Sequence, residues 1–331
     1  MAVYTHLGAE QLAELIGHYD VGGLISAKGI AEGVSNSNWM IETSGSNTGG
    51  NTGGNAGGGR YILTMYERRI ELSDLPYFLG LLDHLSAKGC PVPRTIHDRT
   101  GAAFRLVDGK AAALIEFLPG VSPTRPDPDQ AFAVGQVIAR MHAASADFPL
   151  SRENTMDFAS NLDLLERCGS TGLASINAAL PAMLGAARDA AALSLSALPQ
   201  AQIHADLFPD NVLMLGSEVT GLIDFYFACT GAMALDLAVT HAAWGFDPVT
   251  NAYNADCGRA ILQGYEDIRR LTPAERALLP DIAKGAALRF VASRAEDWLD
   301  TPEDALVTRK DPMQFVSRWR FYDDYGAEIF A

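Results

Sequence analysis

His204, Asp206 and Asn211 share one short loop in QIHADLFPDNVLML (202–215), between apolar runs. Asp224 follows the apolar run of VTGLIDFYFA (219–228) and is followed by a phenylalanine. The pattern is H-x-D-x-x-x-x-N, a strand, then Asp-Phe. Phosphoryl transfer from ATP calls for this set of groups. A carboxylate must sit beside the attacking hydroxyl, orient it and take its proton, and Asp206 suits that task. An amide oxygen and a second carboxylate must hold Mg²⁺ against the phosphates, which Asn211 and Asp224 would supply. His204 is expected to be structural, bonding the backbone to fix the loop. The same letters also suit an ordinary polar loop, with Asp206 a turn residue and Asn211 a cap. The Asp-Phe pair after an apolar run weighs toward the chemistry.

The rest of the chain must position that loop. Residues 8–18 carry Leu12, Leu15 and Ile16 at helical spacing. Strands are expected from Val21 to Lys28, through Trp39 and Ile41, and over 60–67. Residues 72–89 form a helical stripe of Leu75, Phe78, Leu79, Leu82 and Leu85, stopped by Gly89. Further strands are expected over 91–98 and 102–120, the second turning at Asp108-Gly109. Beyond residue 120 helices dominate, over 127–145, the NLDLLERCG stretch, the alanine-rich 174–198 region, 255–270, 273–300 and 312–322. A β-rich first third with one main helix, then a helical remainder, predicts an α+β chain of two lobes, 1–118 and 119–331, joined near Glu116–Gly120.

Residues 44–59, SGSNTGGNTGGNAGGG, form the clear low-complexity segment. Flanked by strands, it reads as an overgrown hairpin tip, a flexible insertion without direct chemistry.

The bulk numbers narrow the partners. Of 331 residues, 48% are apolar and 20% charged, and 25 basic against 40 acidic residues leave a net charge of −15. That balance disfavours nucleic acid and anionic membrane, though not ATP. Cys90, Cys168, Cys229 and Cys257 lie far apart without a CxxC spacing, which argues against zinc and for free thiols in a reducing cytoplasm. Neither a signal peptide nor a transmembrane run is apparent.

HADLFPDNVL with LIDFYFA resembles the aminoglycoside phosphotransferase/choline kinase superfamily of small-molecule kinases, and the resemblance covers nearly the whole chain. It implies a two-lobed protein-kinase-like fold and ATP with Mg²⁺ as cofactors. EGVSNSNW (32–39) is similar to the family's nucleotide loop, which implies Gly33, Val34, Ser35 and Asn36 as phosphate contacts. AALIEFLPG (112–120) is similar to the hinge that meets adenine through its backbone, here Glu116, Phe117 and Leu118. IARMHAAS (138–145) resembles the helix before the catalytic loop, and Asp236 the aspartate that braces that loop from below. Protein kinases carry a lysine on the third strand. Here Thr64 stands about there, with Arg68 and Arg69 just beyond and Glu71 and Asp74 as anionic partners.

Within the superfamily, YILTMYERR (61–69), DLPYFLGLLDHLSAKGCPVPRTI (74–96) and LVTRKDP (306–312) are similar to bacterial homoserine kinases. That resemblance implies L-homoserine as the acceptor. Its carboxylate would want an arginine and its ammonium a carboxylate. Arg289 and Arg294 are the candidate cations and Asp210 the nearby acid, with Trp244 and Trp298 as possible walls. Arg294 and Asp297 share a helix face. The acidic balance also suits choline, an aminoglycoside or methylthioribose, and the missing lysine permits a non-catalytic binding module.

Overall fold

A computed structural model describes residues 7–30, 36–45, 58–67, 70–302 and 309–331. The chain divides into two units, Met1–Pro119 and Gly120–Ala331.

In the first unit, α1 (Ala9–Ile16) precedes β1 (Leu24–Ile30), β2 (Asn36–Thr43) and β3 (Arg60–Tyr66). Then come α2 (Leu75–Ala87), β4 (Thr95–Ile96), β5 (Arg105–Val107) and β6 (Lys110–Glu116). The strands make one antiparallel sheet in the order β1-β2-β3-β6-β4, with β5 paired to β6. Alternation along β2 sends Trp39 and Ile41 inward, opposite Leu63 and Tyr61. Leu12, Leu15 and Ile16 of α1 pack with Trp39, Ile41, Leu63, Met65 and Leu114 in one buried cluster. Burying each such side chain contributes about 1.5–3 kcal/mol over leaving it exposed.

β2 and β3 pair antiparallel from Asn36↔Tyr66 to Glu42↔Arg60. The glycine-rich tract therefore joins neighbouring strands, and its residues 46–57 lie outside the described residues. The turn at Asp108-Gly109 has φ of 51° and 80°. Positive φ at both central residues is what a tight hairpin with twisted strands demands.

Several boundaries differ from expectation for identifiable reasons. The first strand starts at Leu24, because Gly22 turns the chain with φ 88°. The expected strand over 91–98 shrinks to Thr95–Ile96, since Pro91 and Pro93 offer no N–H to a ladder. The run from 102 enters the sheet only at Arg105.

The second unit contains α3 (Pro128–Ala144), α4 (Phe158–Ile176), α5 (Met183–Ala191), β7 (Gln200–Ile203), β8 (Val212–Leu215), β9 (Glu218–Leu222) and β10 (Cys229–Ala232). α6 (Met233–Trp244), α7 (Ala255–Ile268), α8 (Pro273–Asp300) and α9 (Met313–Ile329) complete it. α3 starts with a reciprocal cap, Gln130 N–H to Asp127 Oδ1 at 2.9 Å and Asp127 N–H to Gln130 Oε1 at 3.2 Å, followed by Pro128. α8 starts the same way at Thr272 and Glu275. The alanine-rich 174–198 region is helical only in pieces. α4 ends at Asn177, Pro181 falls in a short turn, and α5 stops by Ala192. The expected helix over 312–322 runs on to Ile329, continuing its inward row through Phe315, Tyr322 and Gly326.

α3 and α7 meet through glycines. A Cβ on Gly135 would lie 2.2 Å from Ile261 O, and one on Gly264 2.1 Å from Phe132 O. α6 is buried on every face, the pattern of a helix at the centre of a helical core. β7 pairs antiparallel with β10, and β8 with β9. No disulfide joins the cysteines among the described residues, and Cys229 and Cys257 are buried. No helix among the described residues is long and apolar enough to cross a membrane.

Candidate active site

The loop 204–211 leaves β7 and enters β8, and its backbone is tied down at every turn. Ala205 has φ 62°, an uncommon conformation for a residue with a side chain. Phe208 N–H donates to Asp206 O at 2.8 Å, and Asn211 N–H to Phe208 O at 3.0 Å. The strained bend is held from below by Asp236, in the first turn of α6. Its Oδ2 accepts the His204 N–H at 2.8 Å and its Oδ1 the Ala205 N–H at 2.7 Å.

Asp236 is fully buried, and so is His142 of α3, whose Nε2 lies 3.0 Å from Asp236 Oδ2. Burial opposes the charge on Asp236. The hydrogen bonds from His142 and the loop outweigh it and hold the carboxyl below its ordinary value. The network continues from His142 Nδ1 to Tyr265 OH at 3.0 Å, and Arg269 donates to that hydroxyl at 3.2 Å.

His204 was expected to be structural, and its ring meets two main-chain groups. Its Nε2 donates to Ile223 O at 2.9 Å, and its Nδ1 accepts the Asp206 N–H at 3.3 Å. Burial depresses its pKa, so it sits there as the neutral ring those two bonds require. The Phe225 ring leans on it, centroids 4.6 Å apart. Ile223 N–H in turn donates to Asn211 O at 3.0 Å. The β8–β9 hairpin thus returns Asp224 to the loop.

Asn211 Nδ2 donates to Asp206 O at 2.8 Å, which leaves the amide oxygen as an acceptor. Asp224 was expected at a strand end. It stands two residues beyond β9 in the left-handed region, φ 65° and ψ 55°. Its side chain reaches solvent yet is crowded by protein. Desolvation first, then Asp206 and Asp210, push its pKa up to about 7. Asp206 is also raised, by burial first, while Arg289 and His204 oppose the rise. A carboxyl moved in that direction is a better proton acceptor near neutrality.

The substrate-end candidates separate. Asp210 is exposed in the short turn Pro209–Asn211, its carbonyl accepting from Ser122 Oγ at 3.1 Å. Arg289 is buried, with Nη2 3.4 Å from Asp206 Oδ1. Arg294 donates to Asp311 O at 3.0 Å and Gln314 Oε1 at 2.8 Å and lies over the Phe315 ring at 4.6 Å. Burial brings its pKa down to about 10, so it stays cationic at neutral pH. Trp244 is a core residue whose Nε1 donates to Leu207 O at 2.9 Å, another brace for the loop. Trp298 lies under Arg309.

In the first unit, Gly33, Val34, Ser35, Arg68 and Arg69 lie outside the described residues. Asn36 opens β2 and is buried. Thr64 is buried on β3 and donates to Asn38 Oδ1 at 2.8 Å. Asp74 closes a short turn, preceded by Glu71, that leads into α2. Glu116 ends β6, with its carboxylate 3.8 Å from Arg94 Nε. Phe117 lies under Arg60 at 5.1 Å. Phe117 and Leu118 make no backbone–backbone hydrogen bond among the described residues.

No group of three or more His, Cys, Asp or Glu side chains able to hold a metal occurs among the described residues. The expected set is of another kind, an amide and a carboxylate. Mg²⁺ is commonly held by one or two carboxylates plus substrate phosphates. Asn211 and Asp224 fit that role by chemistry, since both offer hard oxygens. Burial first and then the charges of Asp206 and Asp210 raise Asp224, and a divalent cation would offset both by favouring the ionised carboxylate.

An antiparallel sheet unit, a helical unit and a buried aspartate bracing an H-x-D-x-x-x-x-N loop define a phosphotransferase of protein-kinase-like fold. The chain belongs to the phosphotransferase enzyme family, whose model matches residues 26–276. It is 43% identical over 331 residues to a homoserine kinase of Acidiphilium cryptum, covering 99% of this chain and 98% of that protein. To a homoserine kinase of Granulibacter bethesdensis it is 45% identical over 323 residues, covering 97% of each. Among solved structures, amicoumacin kinase in complex with AMP-PNP and Ca²⁺ superposes with a TM-score of 0.70 at 15% identity, covering 96% of this chain and 94% of that one. At that identity the likeness is one of fold.

Of the braces around the loop, the sequence pointed to His204 and Asp236. It did not assign His142, Trp244 or Tyr265. His142 lies in IARMHAAS, the stretch that resembles the helix before the loop, but that resemblance attached no role to the histidine itself.

Proposed function

We propose that this chain is a homoserine kinase, transferring the γ-phosphoryl group of ATP to the side-chain hydroxyl of L-homoserine. The products are O-phosphohomoserine and ADP, a step of threonine biosynthesis carried out in the cytoplasm. The observation that carries this reading is the full-length likeness to homoserine kinases in a chain whose loop keeps Asp206, Asn211 and Asp224.

Asp206 orients the acceptor hydroxyl and takes its proton. The hydroxyl oxygen bonds to the γ-phosphorus as the bond from that phosphorus to the β–γ bridging oxygen breaks, and ADP leaves with the electron pair. His204, Asp236 and Asn211 keep the Asp206 backbone still, which favours one attack geometry over many. When bound at Asn211 and Asp224, Mg²⁺ supplies charge neutralisation at the phosphates.

Gly33, Val34, Ser35 and Asn36 are the proposed phosphate contacts. The open backbone of Phe117 and Leu118, after Glu116, suits adenine. The Thr64 hydroxyl is already donated to Asn38, so it offers the nucleotide only its acceptor face. Arg294 remains the proposed cation for the substrate carboxylate and Asp210 the acid for its ammonium. Arg289 is enclosed, which suits a different task.

Purified protein with ATP and Mg²⁺ should release ADP with homoserine and not with choline, methylthioribose or kanamycin. Release with another acceptor alone would move the chain to that substrate. Release with none would leave a binding role.

A further inference from the structure

Arg289 of α8 is out of reach of solvent. It is 5% exposed, and its guanidinium carbon lies 5.0 Å from the Phe227 ring centroid and 4.9 Å from that of Phe290. Both distances are within cation–π range, so the two rings share the cation. Its polar contact is Nη2 to Asp206 Oδ1 at 3.4 Å. Nε is buried and has no hydrogen-bond partner among the described residues.

Nε and Nη2 share one edge of a guanidinium, the edge that grips a carboxylate with two parallel bonds. Here only Nη2 is engaged. Asp206 Oδ2 takes no hydrogen bond from the described residues. A two-point grip would engage the syn lone pair of each carboxylate oxygen and leave only the less basic anti lone pairs for a proton. A cation free to swing to solvent would let the carboxylate rotate. The enclosed, one-point contact avoids both outcomes.

We propose that Arg289 is a positioning residue for Asp206, anchoring Oδ1 while leaving Oδ2 to take the acceptor hydroxyl's proton. Phe227 and Phe290 hold the guanidinium at that post. The proposal rests on the reading of Asp206 as the proton acceptor in phosphoryl transfer. It differs from a direct role in binding the substrate carboxylate, for which Nε is closed and Nη2 is engaged.

The test compares wild type, Arg289→Lys and Arg289→Met. Arg289→Met keeps an apolar stem and removes the cation. We expect kcat to fall about 10- to 100-fold in Arg289→Met and less in Arg289→Lys, with homoserine and ATP KM held within about twofold. Crystal structures of wild type and Arg289→Met should show the Asp206 carboxylate rotated in the variant. Unchanged kcat, a loss confined to homoserine KM, or an unmoved carboxylate would overturn the proposal. Should Arg289→Met not fold, Arg289→Lys decides, and wild-type kcat there overturns it. A wild type inactive with homoserine would sink the substrate reading instead. The carboxylate position in the Arg289→Lys and Arg289→Met crystals then decides the positioning role by itself.

Discussion

Asp236 accepts the backbone N–H of His204 on one carboxylate oxygen and that of Ala205 on the other, at 2.8 and 2.7 Å. One buried side chain therefore fixes the entry to the 204–211 loop, and it does so with charge. Ala205 pays for its left-handed backbone with those bonds.

Replacing Asp236 by Asn turns one acceptor into an NH₂ facing an N–H or His142. We expect a loss of about 3 kcal/mol or more in unfolding free energy, read from denaturant midpoints. Activity should fall even where the variant remains folded. The sign of the pH effect follows from the depressed carboxyl. The stabilisation from Asp236 is fully present above the ordinary carboxylate value near 3.9 and is lost as pH falls through the lower folded value. Asp236→Asn should therefore flatten the acid limb of the stability curve. An unaltered acid limb would contradict the brace.

Asp206→Asn removes the proposed proton acceptor while leaving the loop backbone as it is, since His204, Asp236 and Asn211 bond main-chain atoms of the loop. Turnover should drop by about 10²–10⁴. Binding of a fluorescent ATP analogue should stay within about threefold, because no nucleotide contact is assigned to this side chain. Near-normal turnover in this variant would remove Asp206 from the chemistry.

The helical core offers a prediction separate from chemistry. Gly135 and Gly264 let α3 and α7 touch backbone to backbone, and a methyl group at either would overlap a carbonyl. Gly135→Ala and Gly264→Ala should each destabilise by about 1–3 kcal/mol as the helices are pushed apart. His142 and Tyr265 sit on those same helices, so their 3.0 Å bond should loosen too. Thermal denaturation and the kcat of the folded variant would read the two effects separately. A Tm equal to wild type would show that the helices can give way freely.

Much of the site was legible because its chemistry is written locally. His204, Asp206 and Asn211 lie in one loop, and the tie from Ile223 to Asn211 brings in Asp224 by a hairpin with a two-residue turn at Gly216. Strand alternation at Trp39 and Ile41 and the helical stripe of Leu75, Phe78, Leu79, Leu82 and Leu85 were legible for the same reason. Asp236 was named only through the family resemblance, and its partner His142, far from it in sequence, meets it only through packing of α3 and α6. Trp244 read as a pocket wall because an aromatic side chain gives no sign of where its N–H points. Arg289 read as a candidate cation for the substrate carboxylate, because its spacing on a helix gives no sign of its enclosure. The phenylalanines that enclose it come from its neighbour in sequence and from the segment after Asp224.

Asp224 gives the last prediction, a conflict between stability and function. Its folded pKa, about 7, stands above the ordinary carboxylate value near 3.9. The folded metal-free protein therefore holds a proton there that the unfolded chain has lost, across the window between those values. Stability from this group falls as pH rises through that window and is lowest above about 7, where the charge must be borne in full. Asp224→Asn should thus raise the denaturation midpoint of metal-free protein at pH 8 more than at pH 5. Mg²⁺ should reverse the penalty in wild type. Its binding displaces the proton, so apparent Mg²⁺ affinity should climb with pH through about 7, and calorimetry in buffers of different ionisation enthalpy should detect proton release. Asp224→Asn should abolish both the climb and the release, together with turnover. An Asp224→Asn protein that still binds Mg²⁺ with the wild-type pH dependence would show that the ion is held elsewhere.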